Sequence, residues 1–116
     1  MAAKTDPAKL ARQARDLIED LNHVVLDDAR TLSAPQLPET IQALKQLVER
    51  LPQAFEQTAD VLELLAKNGK VTIEQGDVNT EVATTTAALR TVAADSEQLG
   101  KSLANPASAL FLMGGR

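Results

Sequence analysis

The only histidine of the chain lies between two aspartates, which is the arrangement closest to chemistry in this sequence. Asp20, His23 and Asp27 follow one another at steps of three and four, so a helix would place them along one face. Di-iron bundles use such a carboxylate and histidine pair, but they need two pairs and two further carboxylates. With a single histidine, we interpret the three residues as a solvated helix face and expect no metal site.

Other forms of catalysis find no better support in the residues. The chain has no cysteine, and its serines lie in no Gly-x-Ser-x-Gly turn. Glu56, Asp60 and Glu63 form a second acidic helix face, and runs of charge on a helix usually contact solvent. We therefore expect no catalytic residues, no cofactor and no small-molecule substrate.

Composition narrows the class of protein. The 116 residues fit one domain, 1–116, and 44% of them are apolar while only 2% are aromatic. A net charge of −4 makes nucleic acid an unlikely partner. No apolar run has the length of a membrane span or of a signal peptide, so we expect a cytoplasmic protein with no membrane association.

Three long segments carry an apolar residue every three or four positions, which predicts three amphipathic helices at about 7–32, 38–67 and 78–104. Asp6-Pro7 begins the first, and Asp77 or Asn79 caps the third. In the first helix the stripe, which we expect to face the core, is Leu10, Ala14, Leu17, Leu21 and Val24. In the third it is Val78, Val82, Thr85, Leu89, Val92, Ser96, Leu99 and Leu103.

Breaks between these segments complete the predicted fold. Pro52 lies inside the second helix and predicts a kink or a break there. Residues 70–76 are a connector or a single short strand, and the connector is favoured because a lone strand has no sheet to join. The sequence thus predicts an all-α fold, an antiparallel up-down-up three-helix bundle with coiled-coil-like packing and a short apolar tail helix in 105–116.

A register with all three stripes level brings polar residues together. It places Asp28 beside Ser96 and Thr58 beside Thr85, and buried polar groups need such partners. We therefore predict two buried polar layers in the bundle.

The third helix is rich in small and β-branched residues at its centre. Such a face either packs closely within the monomer or leaves a groove for another chain. On the second interpretation Thr84 and Thr86 contact a partner, together with Leu26, which lies off the main stripe of the first helix.

The tail contains the most apolar run of the chain, Leu110, Phe111, Leu112 and Met113. Asn105 and Pro106 would cap and begin a short helix there. This helix either covers the top of the bundle near Leu32, Leu37 and Ile41 or docks on another subunit.

Together these features favour a non-enzymatic protein-binding module, namely a small scaffold, an adaptor or an oligomerising subunit, with a dimer among the expected states. One alternative is a regulatory, antitoxin-like subunit whose acidic surface covers a basic partner. Another is a nucleic-acid-associated protein that uses the basic cluster Lys9, Arg12 and Arg15, although nearby acidic residues also explain that cluster as surface ion pairs.

Overall fold

The computed structural model describes residues 6–27 and 32–113, without the side chains of residues 26 and 27. Four helices account for most of these residues: α1 (Pro7–Asp27), α2 (Gln36–Lys67), α3 (Val78–Ser102) and α4 (Ala104–Phe111). The described part of the chain contains no strand. The predicted all-α fold, a three-helix bundle followed by a short C-terminal helix, is confirmed.

Local capping explains where the helices begin and end. The Asp6 carboxylate accepts a hydrogen bond from the Ala8 amide at 3.0 Å, and the Asp77 carboxylate accepts one from the Thr80 amide at 3.0 Å. The Lys70 amide donates to the Leu65 carbonyl at 2.9 Å across Gly69, whose φ is +69°. Glycine adopts this left-handed conformation without strain, so it ends α2.

The structure decides between the alternatives that the sequence left open at Pro52 and at residues 70–76. Helix α2 continues through Pro52 without a break, so of the two predicted outcomes only a kink within one helix is compatible with the structure. Residues 70–76 form a connector, in which Val71 and Ile73 are half-buried. The connector interpretation is therefore confirmed over the strand.

Helices α2 and α3 form the closely packed part of the molecule. Their seam on α3 contains small residues at heptad spacing, Thr86, Ala93 and Gly100, all buried. A Cβ atom on Gly100 would lie 3.4 Å from Glu49 Cγ. Small side chains allow this close approach, so the first interpretation of the third helix is the one the structure shows.

The predicted stripe of α3 is partly confirmed, since one of its residues is buried, Ser96, and four are half-buried, Val78, Val82, Leu89 and Leu103. Val92 and Leu99, which we expected in the core, are 43% and 50% exposed, whereas Ala93 is 2% exposed. One residue corresponds to about 100° around a helix. Periodicity locates an apolar stripe, but the helix packs through its smallest residues because these bring the two backbones together.

Of the two predicted polar layers, that of Asp28 and Ser96 stays a prediction, whereas that of Thr58 and Thr85 is not buried. Asp28 lies outside the described residues, and Thr58 and Thr85 are both exposed. The buried Ser96 hydroxyl donates to the Ala93 carbonyl of its own helix at 2.8 Å, and Thr86 likewise donates to Ala83 at 3.1 Å. These hydroxyls need no partner on another helix because their own helix satisfies them.

Helix α4 follows α3 after a single residue, Leu103, which keeps helical backbone angles. The predicted cap at Asn105 is wrong, since no side chain caps α4 and Asn105 lies inside its first turn. Pro106 has no amide hydrogen to donate to the Ser102 carbonyl, and this missing bond explains the interruption. Helix α4 packs on α2 and α3 and buries Ala107.

Helix α1 runs antiparallel to α2 at a greater distance. Among the described residues, no Cα atom of α1 lies within 8 Å of a Cα atom in another helix. The radius of gyration is 19.2 Å, whereas a compact domain of this length has one of roughly 13 Å. The bundle is therefore elongated and open along α1.

Candidate interaction surface

The residues closest to chemistry lie on α1. Asp20 and His23 are exposed there, and the side chain of Asp27 is not described. Within residues 6–27 and 32–113, no group of three histidine or acidic side chains is placed to hold a metal ion. Over the same ranges, no helix is both long and apolar enough to cross a bilayer.

The apolar stripe of α1 lies on the surface, contrary to the expectation that it faces a core. Leu10, Leu17 and Val24 are 53%, 67% and 47% exposed, and only Ile18 and Leu21 of residues 7–25 are even half-buried. The reason is the distance between α1 and α2, which leaves even Leu10, on the cleft opposite Val61, more than half exposed. Three large apolar residues at intervals of seven thus form a continuous exposed row, which we call the α1 row.

Two clefts separate α1 from α2. One, of about 660 Å³, lies where the start of α1 faces the middle of α2, between Leu10 and Val61. The other, of about 440 Å³, lies between Val25 at the end of α1 and Leu44 of α2. Closely packed interiors contain few voids larger than a water molecule, so the contact between α1 and α2 is incomplete.

Other large apolar side chains are exposed on α2 and α3. They include Val61 and Leu64 of α2, exposed by 53% and 56%, besides Val92 and Leu99 of α3. Among the described residues, the buried apolar side chains are those of Pro38 and three alanines, Ala59, Ala93 and Ala107, and no large side chain is fully buried. In the described part of the chain, the leucine, isoleucine and phenylalanine side chains are therefore half-buried at most.

The accessible surface area of the chain is large for its mass. The chain exposes 9104 Å², whereas a compact monomer of 12.4 kDa exposes roughly 6,100 Å². The chain therefore exposes roughly 3,000 Å² more than a compact monomer of its mass.

The residues proposed from sequence for partner binding differ in their exposure to solvent. Thr84 is exposed on α3, but Thr86 is buried in the seam with α2 and is not accessible to a partner. The side chain of Leu26 is not described.

The tail folds back on the bundle only in part, and docking on another subunit stays a prediction. Helix α4 folds back on the bundle through Ala107, and Leu110 is half-buried. Phe111 and Leu112 nevertheless remain 59% and 88% exposed, and Met113 is 57% exposed. The tail is therefore docked by its small residues, and its large apolar side chains are exposed.

Arg90 joins α3 to the acidic face of α2, a contact that the sequence analysis missed. Its guanidinium donates to Glu56 at 2.5 Å, to Asp60 at 3.0 Å and to Glu63 at 2.7 Å. Hydrogen bonds to Glu63, then Asp60 and Glu56, raise the pKa of Arg90 above its ordinary value. The spacing of the three acidic residues was a signal for a common face, but nothing in the sequence paired that face with Arg90.

The Arg90 contacts also fix the register between α2 and α3. Arg90 lies level with residues 56–63, and Gly100 lies beside Val48 and Glu49. Thr85 is then level with the residues that follow Glu63, roughly 9 Å along the axis from Thr58. The predicted level register is therefore shifted, because the helices align through their small residues rather than through the ends of their apolar stripes.

The basic cluster at the start of α1 makes ion pairs within the chain. Arg12 lies 3.8 Å from the Asp6 carboxylate, and Arg15 lies 3.0 Å from that of Asp16. All four side chains are more than half exposed, so these pairs contribute little to stability. They match the interpretation of the cluster as surface ion pairs.

Comparison with protein-family models, with curated proteins and with solved structures finds no match to this chain.

Proposed function

We propose that the chain is a non-enzymatic protein-binding module that works as a subunit of a helical assembly. The observation that carries the proposal is the exposed α1 row of Leu10, Leu17 and Val24 on a helix whose described residues have no Cα atom within 8 Å of another helix. Exposed apolar rows of this kind are costly in a free monomer and mark surfaces for protein association.

The accessible surface area of the chain supports the same proposal. Stable interfaces bury about 1,200–2,000 Å² in total, and obligate ones bury more. Each partner contributes about half of that area, roughly 800 Å², and the roughly 3,000 Å² that this chain exposes beyond a compact monomer exceeds this share. A helical assembly partner would supply the large apolar neighbours that Leu17 and Leu64 lack within the chain.

The test uses a substitution that matters only in an assembly. Leu17→Gln changes a side chain that is 67% exposed. In an isolated chain such a change alters stability by less than about 0.5 kcal/mol, whereas at a packed interface loss of a leucine costs about 2–5 kcal/mol. Ala8→Gln is the matched control, since residue 8 is exposed on the opposite side of α1.

Affinity-tagged chain recovered from its native cells provides the assay. We expect the wild type and Ala8→Gln to retain the same protein, whether another protein or an untagged copy of the chain, and Leu17→Gln to lose it. Retention by Leu17→Gln at the wild-type level, or no retained protein with any variant, would reject the proposal.

A further inference from the structure

We propose that the α1 row binds an amphipathic helix of another protein, and that lysine or arginine side chains of this partner helix lie beside Asp20. This inference rests on the proposed function and specifies its partner. The charges that border the row, the cleft at its start and the mismatch with a second copy of the chain support it.

The residues that border the α1 row differ on its two sides. Three positions after its members the chain has Gln13, Asp20 and Asp27, which we call the acidic edge, and Gln13 and Asp20 are exposed. On the other side, four positions after the first two members, it has Ala14 and Leu21. Leu21 lines the cleft towards α2. The row is therefore bordered by negative charge on one side and by apolar side chains on the other.

The three basic residues of α1 lie away from the row. Lys9 is one position from a member of the row, which corresponds to about 100° around the helix, and Arg12 and Arg15 are two positions away, about 160°. Arg12 and Arg15 pair there with carboxylates of their own chain. Within residues 6–27 and 32–113, no lysine or arginine forms an ion pair with Asp20. A partner can therefore pair with the carboxylate of Asp20.

The row begins at a cleft that a partner side chain can fill. Leu10 faces Val61 of α2 across the cleft of about 660 Å³, and both are more than half exposed. The row extends from there for about 21 Å along α1, which equals about four turns of a second helix. A helix presents apolar side chains along such a line, and an amphipathic helix binds to an apolar groove in this way.

A second copy of α1 does not complement this surface. In an antiparallel pair about a two-fold axis, the same edge of both helices lies on the same side, so the two acidic edges would face each other. In a parallel pair, the acidic edge would lie beside Ala14 and Leu21 of the second copy, where no basic residue borders the row. The net charge of −4 also opposes self-association. Another protein must therefore supply the basic side chains.

Two synthetic helical peptides test the sign of the partner's charge. Both have leucine at every third or fourth position, and the positions that border the leucines are lysine in one peptide and glutamate in the other. Fluorescence anisotropy at about 0.15 M salt measures their binding to the full chain, because the screening length of about 8 Å then limits the effect of distant charges. We expect the lysine peptide to bind about tenfold more tightly.

Leu17→Gln is expected to weaken binding of the lysine peptide by about tenfold or more, because it removes the central apolar contact. Equal affinity for the two peptides overturns the proposal. Failure of the lysine peptide to bind overturns it as well.

Reversal of the acidic edge tests where the charge acts. One variant carries Gln13→Lys and Asp20→Lys, and we expect it to prefer the glutamate peptide. The matched control carries Ala8→Lys and Glu19→Lys, which change the net charge equally at exposed positions on the opposite side of α1. The control is expected to keep the preference for the lysine peptide, and circular dichroism verifies that both variants remain helical. An unchanged preference in the first variant, or the same change in both, overturns the proposal.

The outcomes separate this inference from the proposed function. If the tagged chain loses its bound protein on Leu17→Gln but keeps it with Gln13→Lys and Asp20→Lys, the partner is not basic and the proposed function stands. If the protein lost on Leu17→Gln is an untagged copy of the chain, a second copy covers the row, and again only this inference fails. If Leu17→Gln changes no association, the α1 row is not an interface and both fail.

Discussion

Ala93→Leu tests the α2–α3 seam, which holds the rest of the structure together. Ala93 is 2% exposed at the centre of α3, and Ala59 on α2 is fully buried. Three added carbon atoms have no space in such a seam, and overpacking of this kind costs about 1–3 kcal/mol. For a domain of this size we expect the melting temperature to fall by about 4–12 °C.

Val92→Leu is the matched control, one residue earlier on the same helix. Val92 is 43% exposed, so its enlargement by one carbon is expected to change stability by less than about 0.5 kcal/mol. Thermal unfolding followed by circular dichroism, at equal protein concentration, measures both variants. The stripe expected from the sequence makes the opposite prediction, with Val92 in the core and residue 93 outside it. A neutral Ala93→Leu together with a destabilising Val92→Leu would therefore refute the seam described above.

Two further substitutions test individual features of α3. Gly100→Ala is expected to raise stability by about 1 kcal/mol in urea unfolding, because alanine favours helix and its Cβ would lie 3.4 Å from the flexible Glu49 side chain; a loss of stability would show that the seam has no space for a methyl group. Asp77→Ala is expected to lower the melting temperature at neutral pH by removing the cap. Hydrogen bonds from Thr80 lower the pKa of Asp77 below 3.8, so the cap contributes above that pH and its contribution is lost as the pH falls through the lowered value. The difference between Asp77→Ala and the wild type should therefore shrink in acid, and a difference that persists well below pH 3.8 would exclude this account of the cap.

Local signals in the sequence were sufficient to predict the helices. The Asp6 and Asp77 caps and the stop at Gly69 depend on residues within a few positions of each helix end, so these three ends follow from the sequence. Pro52 shows the limit of such rules, since α2 continues through it as a single helix. The neighbouring helix can stabilise a proline that an isolated helix would not tolerate.

The face through which α3 packs could not be predicted in the same way. Its spacing allows two adjacent faces, one with Val92 and Leu99 and one with Ala93 and Gly100. Apolar periodicity favours the larger residues, whereas close packing of two backbones favours the smaller ones. The contact of Arg90 with the acidic face of α2 could not be predicted either, because it depends on the register between the two helices.

The exposed α1 row is the feature that sequence reasoning interpreted least well. Leu10, Leu17 and Val24 were expected to face a core because their spacing is that of a core stripe. A stripe that packs against a second subunit has the same spacing as one that packs within the monomer. Only the distance between α1 and the α2–α3 pair distinguishes the two cases.

Sedimentation of the chain in an extract of its native cells tests the central claim most directly. We predict that the wild type sediments in a complex heavier than 12.4 kDa, with another protein or with a further copy of the chain, while Leu17→Gln sediments at 12.4 kDa. A wild-type chain found only at 12.4 kDa, or Leu17→Gln found in the same complex as the wild type, would contradict the claim.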